Sequence, residues 1–341
     1  MTSSEAMDML HIVTGSDNNY MAGVMALIAS TAFHNPRVRF TVLDMGIAED
    51  NCRKLAELAT RLSLRIDRIS IEASRFAHLT VRRAHLNRAA YMRLLIPELL
   101  PEDDRLVYMD SDMIVVDDLS ALMQVELGDC PIAAVADPSP APRELAATGT
   151  RLGEYVNSGL LVMNLPVWRA EKLSCRCLEI LSDPKAAWYC EDQSAINIVC
   201  RDRIVLLPAQ YNIYANLPTY KCVEELPSRI SVLHYVVNVK PWMWNVAFGE
   251  IWHFHAGRIA DLMPPPHRHN WRQKLRRVEA ARRSVFGLLC GKRKYWKRRS
   301  TAKAIRSQIV LPYLAKAGAN PAGFGDKFGA AGCDRVMPAR N

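Results

Sequence analysis

Leu106-Val107-Tyr108-Met109-Asp110-Ser111-Asp112 is a run of four apolar residues that breaks into two acids around a serine. The apolar part reads as a buried strand, and the acids open the loop behind it. In extended chain, residues i and i+2 point to the same side. Asp110 and Asp112 can then reach one hard divalent cation and share it with phosphate oxygens. A lone Asp-x-Asp is more often an exposed acidic turn. The apolar run before it is what gives the metal reading its weight. The nearby pairs Asp103-Asp104 and Asp117-Asp118 lack that placement and are expected to be solvated loop and helix-start acids.

Outward from this stretch the chain alternates strand-like and helix-like patterns. Leu10-His11-Ile12-Val13-Thr14 is an apolar run ended by Gly15-Ser16-Asp17-Asn18-Asn19. Helices are expected over about 20–32 and 49–62, with strands over about 38–43 and 64–71, the last alternating as if covered on one face. Residues 88–95 look helical and should stop before Pro97. Ile132 to Ala136 is a further strand, running into Asp137-Pro138. This alternation implies an α/β fold, a Rossmann-like, largely parallel sheet with helices on both faces. Such sheets bind ligands beyond the carboxyl ends of their strands. Asp17, Asp110 and Asp137 each follow a strand and are expected on one rim, where clustered carboxylates repel unless a cation is present.

Further on, Tyr155-Val156-Asn157-Ser158-Gly159-Leu160-Leu161-Val162-Met163-Asn164-Leu165 reads as a strand with polar residues near its start. Pro166 and Trp168 open a helix. A helix over 191–199 and a strand over 204–207 follow. Leu233-His234-Tyr235 leads to Lys240-Pro241-Trp242. A neutral His234 imidazole suits a third ligand for a cation such as Mn²⁺, and Lys240 offers a point charge to a phosphate. A histidine in such a place is also commonly a satisfied, partly buried one. His253 and His255, around Phe254, read as structural or interfacial.

Six motifs in order now carry a resemblance. They are Gly15-Ser16-Asp17-Asn18-Asn19-Tyr20, Tyr91-Met92-Arg93-Leu94, Tyr108-Met109-Asp110-Ser111-Asp112, Tyr155-Val156-Asn157-Ser158-Gly159, Glu191-Asp192-Gln193, and His234-Tyr235 through Lys240-Pro241-Trp242. Over about residues 8–260 the chain resembles a family 8 glycosyltransferase of the bacterial lipopolysaccharide galactosyltransferase type. The resemblance implies the GT-A fold, a UDP-hexose donor (UDP-glucose or UDP-galactose), Mn²⁺ or Mg²⁺, and retention of anomeric configuration. It places uracil and ribose against Gly15, Asp17 and Asn19, and Arg93 at the donor sugar or its phosphate. Asp110, Ser111 and Asp112, with His234 as third metal ligand, would face the diphosphate. Asp137, Asn157 and Asp192 would hold sugar hydroxyls, with Gln193 on the reacting face and Lys240 at the departing phosphate. No carboxylate stands out as a nucleophile, so attack by the acceptor hydroxyl on the leaving-group face is the expected route. Two positions depart from the family pattern. Val237 stands where a glycine two residues after Tyr235 is common, and Ser194 where an acid is common.

The 341 residues carry a net charge of +9, nine cysteines and about half apolar residues. That composition suits a globular core and excludes a mostly disordered chain. Residues 267–306 hold fifteen Lys plus Arg against Glu279 alone, and residues 307–341 four against two, so the first 266 residues balance at −7. Basic charge so localised argues against a nucleic-acid partner. Trp271, Phe286, Tyr295 and Trp296 are interleaved with it, and Val285-Phe286-Gly287-Leu288-Leu289 is apolar. Such a segment suits an anionic membrane surface, and the acceptor would then be a lipid-linked glycan. The expected organisation is one catalytic domain at 8–262, a basic helical arm at 263–315 and a disordered tail at 316–341. No spanning segment or secretory leader is evident, and nine scattered cysteines suit reduced thiols. A cytoplasmic enzyme peripherally attached to the inner membrane face is expected. Two alternatives stay open: a nucleotide-sugar-binding protein without transferase activity, and a sugar-phosphate nucleotidyltransferase. The second normally needs a basic Gly-rich loop, and Gly15 to Asn19 has no Lys or Arg.

Overall fold

The computed structural model describes residues 9–76, 79, 88–183, 191–236, 239–265 and 270–318. They form two compact units, one of residues up to Asn212 with Ile230–Val232, the other of Ile213–Arg229 with residues from Leu233 onward.

The first unit contains β1 (Leu10–Ser16), α1 (Met21–His34), β2 (Val38–Asp44), α2 (Glu49–Arg61), β3 (Arg65–Ser70), α3 (Ile96–Leu99), β4 (Arg105–Met109), β5 (Met113–Val115) and β6 (Ile132–Ala136). Then come α4 (Pro142–Thr148), β7 (Val156–Asn164), α5 (Leu165–Ala170), α6 (Leu173–Ser182), α7 (Glu191–Val199) and β8 (Ile204–Leu206). Seven strands form one sheet in the order β3-β2-β1-β4-β7-β6-β8. β1, β2, β3 and β4 are parallel, as are β6 and β8, while β7 is antiparallel to both its neighbours. This is the expected α/β architecture with a mixed, mostly parallel sheet. The reversal of β7 matters for the site. β1, β4 and β6 end on one rim, and β7 begins there, so Asn157 and Ser158 meet the acids that follow β4 and β6.

The sequence accounts for these elements. β4 and β7 are near-continuous apolar runs, buried on both faces as central strands require. α1 is apolar on every side and buries ten of its residues, so it is enclosed rather than amphipathic. Pro166 sits in the first turn of α5, where its missing N–H costs nothing.

Three expectations change. β3 is an edge strand with neither face fully covered, so its alternation reflects partial packing on both sides. Residues Arg88–Leu95 wind as a 3-10 stretch, and Pro97 opens the first turn of α3 instead of ending the helical path. Asp103 is not a solvated loop acid: it lies 3.0 Å from His11 Nδ1 and pairs with Arg39, next to the start of β4. Burial works against its charge, but these two partners hold its carboxyl below the ordinary value.

The second unit contains β9 (Ile213–Tyr214), the end of β10 (Val232–His234), α8 (Gly249–Gly257), α9 (Trp271–Leu289), α10 (Arg293–Ile305), a π-turn at Arg306–Val310 and α11 (Leu311–Lys316). β9 and β10 run parallel, with His234 opposite Tyr214. His255 Nε2 is 2.7 Å from Tyr313 Oη, and Arg306 Nε donates to Glu250 Oε1 at 2.9 Å, so α8 is tied to the C-terminal helices. Asn270 and Gln273 form a reciprocal capping box at the start of α9. From Trp271 the basic segment is helical, with a break between Leu289 and Arg293. No described helix is long and apolar enough to cross a membrane. The described cysteines are free thiols, Cys177 and Cys200 being buried. Residues 319–341 and Val237 lie outside the described residues.

Candidate active site

Asp110 follows β4 and is fixed by its backbone, whose N–H donates to the Gly159 carbonyl of β7 at 2.8 Å. The Met113 N–H returns to the Asp110 carbonyl, so Asp110-Ser111-Asp112 is a tight turn and not the extended segment expected. The turn still serves the purpose, because carboxylate oxygens of Asp110 and Asp112 lie within 4.8 Å of each other. Ser111 is buried in the turn.

Arg93 organises the acids. Its Nη2 donates to Asp110 Oδ1 at 2.8 Å, its Nε lies 3.1 Å from Asp192 Oδ2, and its Nη1 donates to the Ser158 carbonyl and hydroxyl at 2.5 and 2.9 Å. Its guanidinium carbon lies 4.6 Å from the centre of the Tyr108 ring, and the Tyr108 hydroxyl donates to the same Asp110 oxygen at 2.8 Å. Burial alone would favour the neutral guanidine. The carboxylates of Asp110, Asp192 and Asp112 outweigh that and hold Arg93 firmly charged. For Asp192 burial wins: its carboxyl is pushed up to about 6, against the pull of Arg93 and with the push of Asp110.

Beside this centre lies an amide network. Gln193 Oε1 accepts from Asn157 Nδ2 at 2.8 Å and from the Ser158 N–H at 3.2 Å, while its Nε2 donates to Asp137 Oδ2 at 3.3 Å. Asn157 Oδ1 accepts from the Gly159 N–H at 3.0 Å and from Asn212 Nδ2 at 2.7 Å. Arg93, Asp110, Asp137, Asn157, Asp192 and Gln193 are therefore assembled on one rim of the sheet.

At the end of β1, Asp17 caps the 3-10 turn Asn18–Tyr20 and accepts from the Asn19 N–H at 2.9 Å and Asn19 Nδ2 at 3.3 Å. Gly15 lies where a Cβ would stand 3.0 Å from Met92 Cε. The Tyr20 hydroxyl is driven above its ordinary pKa by burial and by the negative charges of Asp112, Asp17 and Asp110.

In the second unit, His234 is buried, its ring edge-on to Tyr214 with centroids 5.9 Å apart. Its carbonyl accepts from the Ala215 N–H at 2.8 Å. Lys240 is also buried and donates through Nζ to the Tyr235 carbonyl at 2.6 Å. In the first unit the Ser231 carbonyl accepts from the Val116 N–H just beyond β5, and His234 follows three residues later in the chain.

Glu144, Asn197 and Asn212 support the site without belonging to any of the six motifs. Ser194 is fully buried, donates to Glu144 and lies 3.0 Å from the Tyr155 hydroxyl. Glu144, itself buried on α4, thus brings a carboxylate to the position where Ser194 departs from the family pattern. Tyr91 donates to Glu191 at the head of α7. Asn197 clamps the Val156 backbone at both its N–H and carbonyl, at 2.8 and 2.9 Å. Glu144 and Asn212 had no local pattern to betray them.

The family model described as Glycosyl transferase family 8 matches residues 11–245. The chain belongs to that family. It is a glycosyltransferase of the hexosyltransferase class. Among similar proteins, the lipopolysaccharide 1,2-glucosyltransferase of Escherichia coli (strain K12) is 28% identical over 246 residues, covering 68% of this chain and 72% of that one. General stress protein A of Bacillus subtilis (strain 168) is 26% identical over 255 residues, covering 70% of this chain and 89% of that one. The solved galactosyltransferase LgtC, in complex with donor and acceptor sugar analogues, superposes with a TM-score of 0.63 at 25% identity, over 78% of this chain and 99% of that one. The fold is accordingly GT-A.

Proposed function

We propose that the enzyme transfers glucose or galactose from a UDP-hexose, with retention, to a hydroxyl of a glycan or lipid-linked acceptor such as a lipopolysaccharide core. The observation that carries this reading is the Arg93 centre, which holds Asp110 and Asp192 beside the Asn157–Gln193–Asp137 network. One side of the rim is built for a diphosphate and its cation, the other for sugar hydroxyls.

A divalent cation, Mn²⁺ or Mg²⁺, fits the donor set. Asp110 and Asp112 offer hard oxygens close together, as such an ion requires. Asp110 and Asp112 would hold the ion, with Ser111 between them, and the family resemblance adds His234 as the third ligand. Bound there, the ion supplies Lewis-acid stabilisation of the leaving UDP.

The chain's own residues do the rest. Arg93 holds Asp110 and Asp192 at fixed positions near the donor sugar and phosphate. Asp137, Asn157 and Asp192 orient the hexose through its hydroxyls. Gln193 lies at the reacting face, but its oxygen already accepts two N–H groups, so it suits a fixed neutral dipole better than a nucleophile. The acceptor hydroxyl then attacks on the face the phosphate leaves, and that phosphate takes its proton. The family resemblance gives Lys240 to the departing phosphate. Gly15, Asp17 and Asn19 receive the nucleoside.

The test is a UDP-sugar panel assayed for metal-dependent sugar release and transfer, with wild type and Asp110→Ala. Release that depends on Mn²⁺ and falls by about a thousandfold in the variant supports the reading. Release indifferent to Asp110 overturns the site, and a trapped glycosyl adduct on any side chain overturns the proposed direct attack. Residues 267–306 are proposed to keep the enzyme at an anionic membrane surface on the cytoplasmic side, near a lipid-linked acceptor.

A further inference from the structure

α9 turns its small residues toward the protein and its large apolar residues away from it. Ala280 and Gly287 are its buried residues. A Cβ on Gly287 would stand 2.2 Å from the Tyr295 ring, so that ring lies directly on the helix backbone. Trp296 Nε1 donates to the Leu288 carbonyl at 3.1 Å, and the Arg277 guanidinium sits 4.5 Å from the Trp244 ring centre. These contacts fix which side of the helix is the inner one.

Trp271, Leu275, Val278, Val285, Phe286 and Leu289 are all more than half exposed, from 54% for Leu275 to 80% for Leu289. At 3.6 residues per turn these six fall within about 100° of arc, opposite Ala280 and Gly287. The stripe runs the length of a helix about 28 Å long. Lys274 borders it on one side, Glu279 and then Arg272 border it on the other, Arg283 and Arg276 lie further round toward Gly287, and Arg282 lies within it. Glu279 is the single acid of the helix.

We infer that this outer face of α9 is the surface that enters an anionic lipid bilayer, with the helix lying in the plane of the headgroups. A stripe of this width, rimmed by cations and almost free of acids, matches an acyl boundary beneath anionic headgroups. Trp271 at one end provides the ring that favours that depth, and Arg282 extends its charge back to the headgroups. The inference rests on the proposed membrane role of residues 267–306 and narrows it to one helix face. Tyr295, which the sequence grouped with the membrane-facing aromatics, belongs instead to the inner packing.

The experiment uses the full chain with vesicles of phosphatidylcholine, with and without 30% phosphatidylglycerol, followed by co-sedimentation. Expected are binding to the anionic vesicles and about a hundredfold weaker partitioning by Leu275→Ser/Phe286→Ser. Brominated lipid should quench fluorescence in wild type more than in Trp271→Phe. Binding by wild type with no loss in the double variant and no Trp271-dependent quenching overturns the face, while leaving a basic tether intact. No wild-type binding to either vesicle overturns the membrane role itself. A concentration-dependent dimer in solution that the double variant abolishes assigns the face to a second copy of the chain and overturns the inference.

Discussion

The Arg93 centre and the outer face of α9 solve opposite problems. The first buries a cation and acids, and gives Arg93, Asp110, Asp192, Gln193 and Asn157 hydrogen-bond or ionic partners. The second leaves six large apolar side chains in solvent. A polar group kept out of water is tolerable only with partners, and those partners fix its position. An apolar stripe kept in water has no internal purpose and points to a phase outside the protein. Substitution should therefore be costly for folding in the first region and nearly silent in the second.

The largest effect is expected from Arg93→Met. It preserves much of the side-chain volume but leaves Asp110 and Asp192 facing each other without their cation. Removing one partner of a buried ionic set costs about 3–5 kcal/mol. Urea unfolding measures it. A variant as stable as wild type would mean that the guanidinium does not hold these acids together, and the contrast between the regions would collapse.

Asp192 gives the next effect, and its sign is opposite to that of an ordinary salt-bridged acid. Its carboxyl is pushed from 3.8 to about 6 in the folded protein. Below the unfolded value both states carry the proton. As pH rises through the window from about 4 to 6 the unfolded state releases it first, so stability falls. Two pH units correspond to about 3 kcal/mol lost by neutral pH, as an upper bound. Asp192→Asn should lack this slope. Unfolding midpoints of both proteins at pH 4.5 and 7 decide it, and parallel profiles would show that Asp192 is ionised without penalty.

A smaller cost, about 1–2 kcal/mol, is expected from Ser194→Ala, which leaves the buried Glu144 carboxylate and Tyr155 hydroxyl short of a partner. Glu144→Gln should lose less, because the amide oxygen still accepts from Ser194. If the Gln variant alone also altered donor preference in a UDP-sugar panel, Glu144 would be reading the substrate as well as holding α7. An unchanged preference would confine it to support.

How far the sequence reached follows the same division. Asp110, Asp112 and Asp137 were legible because each follows a strand, where local pattern determines placement, while Arg93, Asn157, Asp192 and Gln193 entered through the ordered motifs that carry the family resemblance. The α/β alternation was legible for the same reason. What escaped was relational. The reversed β7 brings Asn157 to Gln193, and no local pattern records a strand's direction in a sheet. Glu144 and Asn212 act through partners 50 and 55 residues away. Asp103 looked solvated because its partners, His11 and Arg39, lie in other strands. Across α9 and α10, composition revealed basic and aromatic residues together, but only packing separated Tyr295, turned inward, from Phe286, turned out.

The smallest expected effect sharpens the comparison most. Leu275→Ser/Phe286→Ser removes two large apolar side chains, a change that in a core would cost several kcal/mol. Both side chains are more than half exposed, so little burial is lost on substitution. In the absence of vesicles the unfolding free energy should stay within about 0.5 kcal/mol per site of wild type. Transfer to a small water-soluble acceptor should be unchanged, because neither residue belongs to the rim that holds the donor. Transfer to an acceptor embedded in anionic vesicles should fall with the loss of partitioning. A marked drop in solution stability would show that the stripe is covered by the protein itself, and the exposed face would then be part of the fold rather than a surface for lipid.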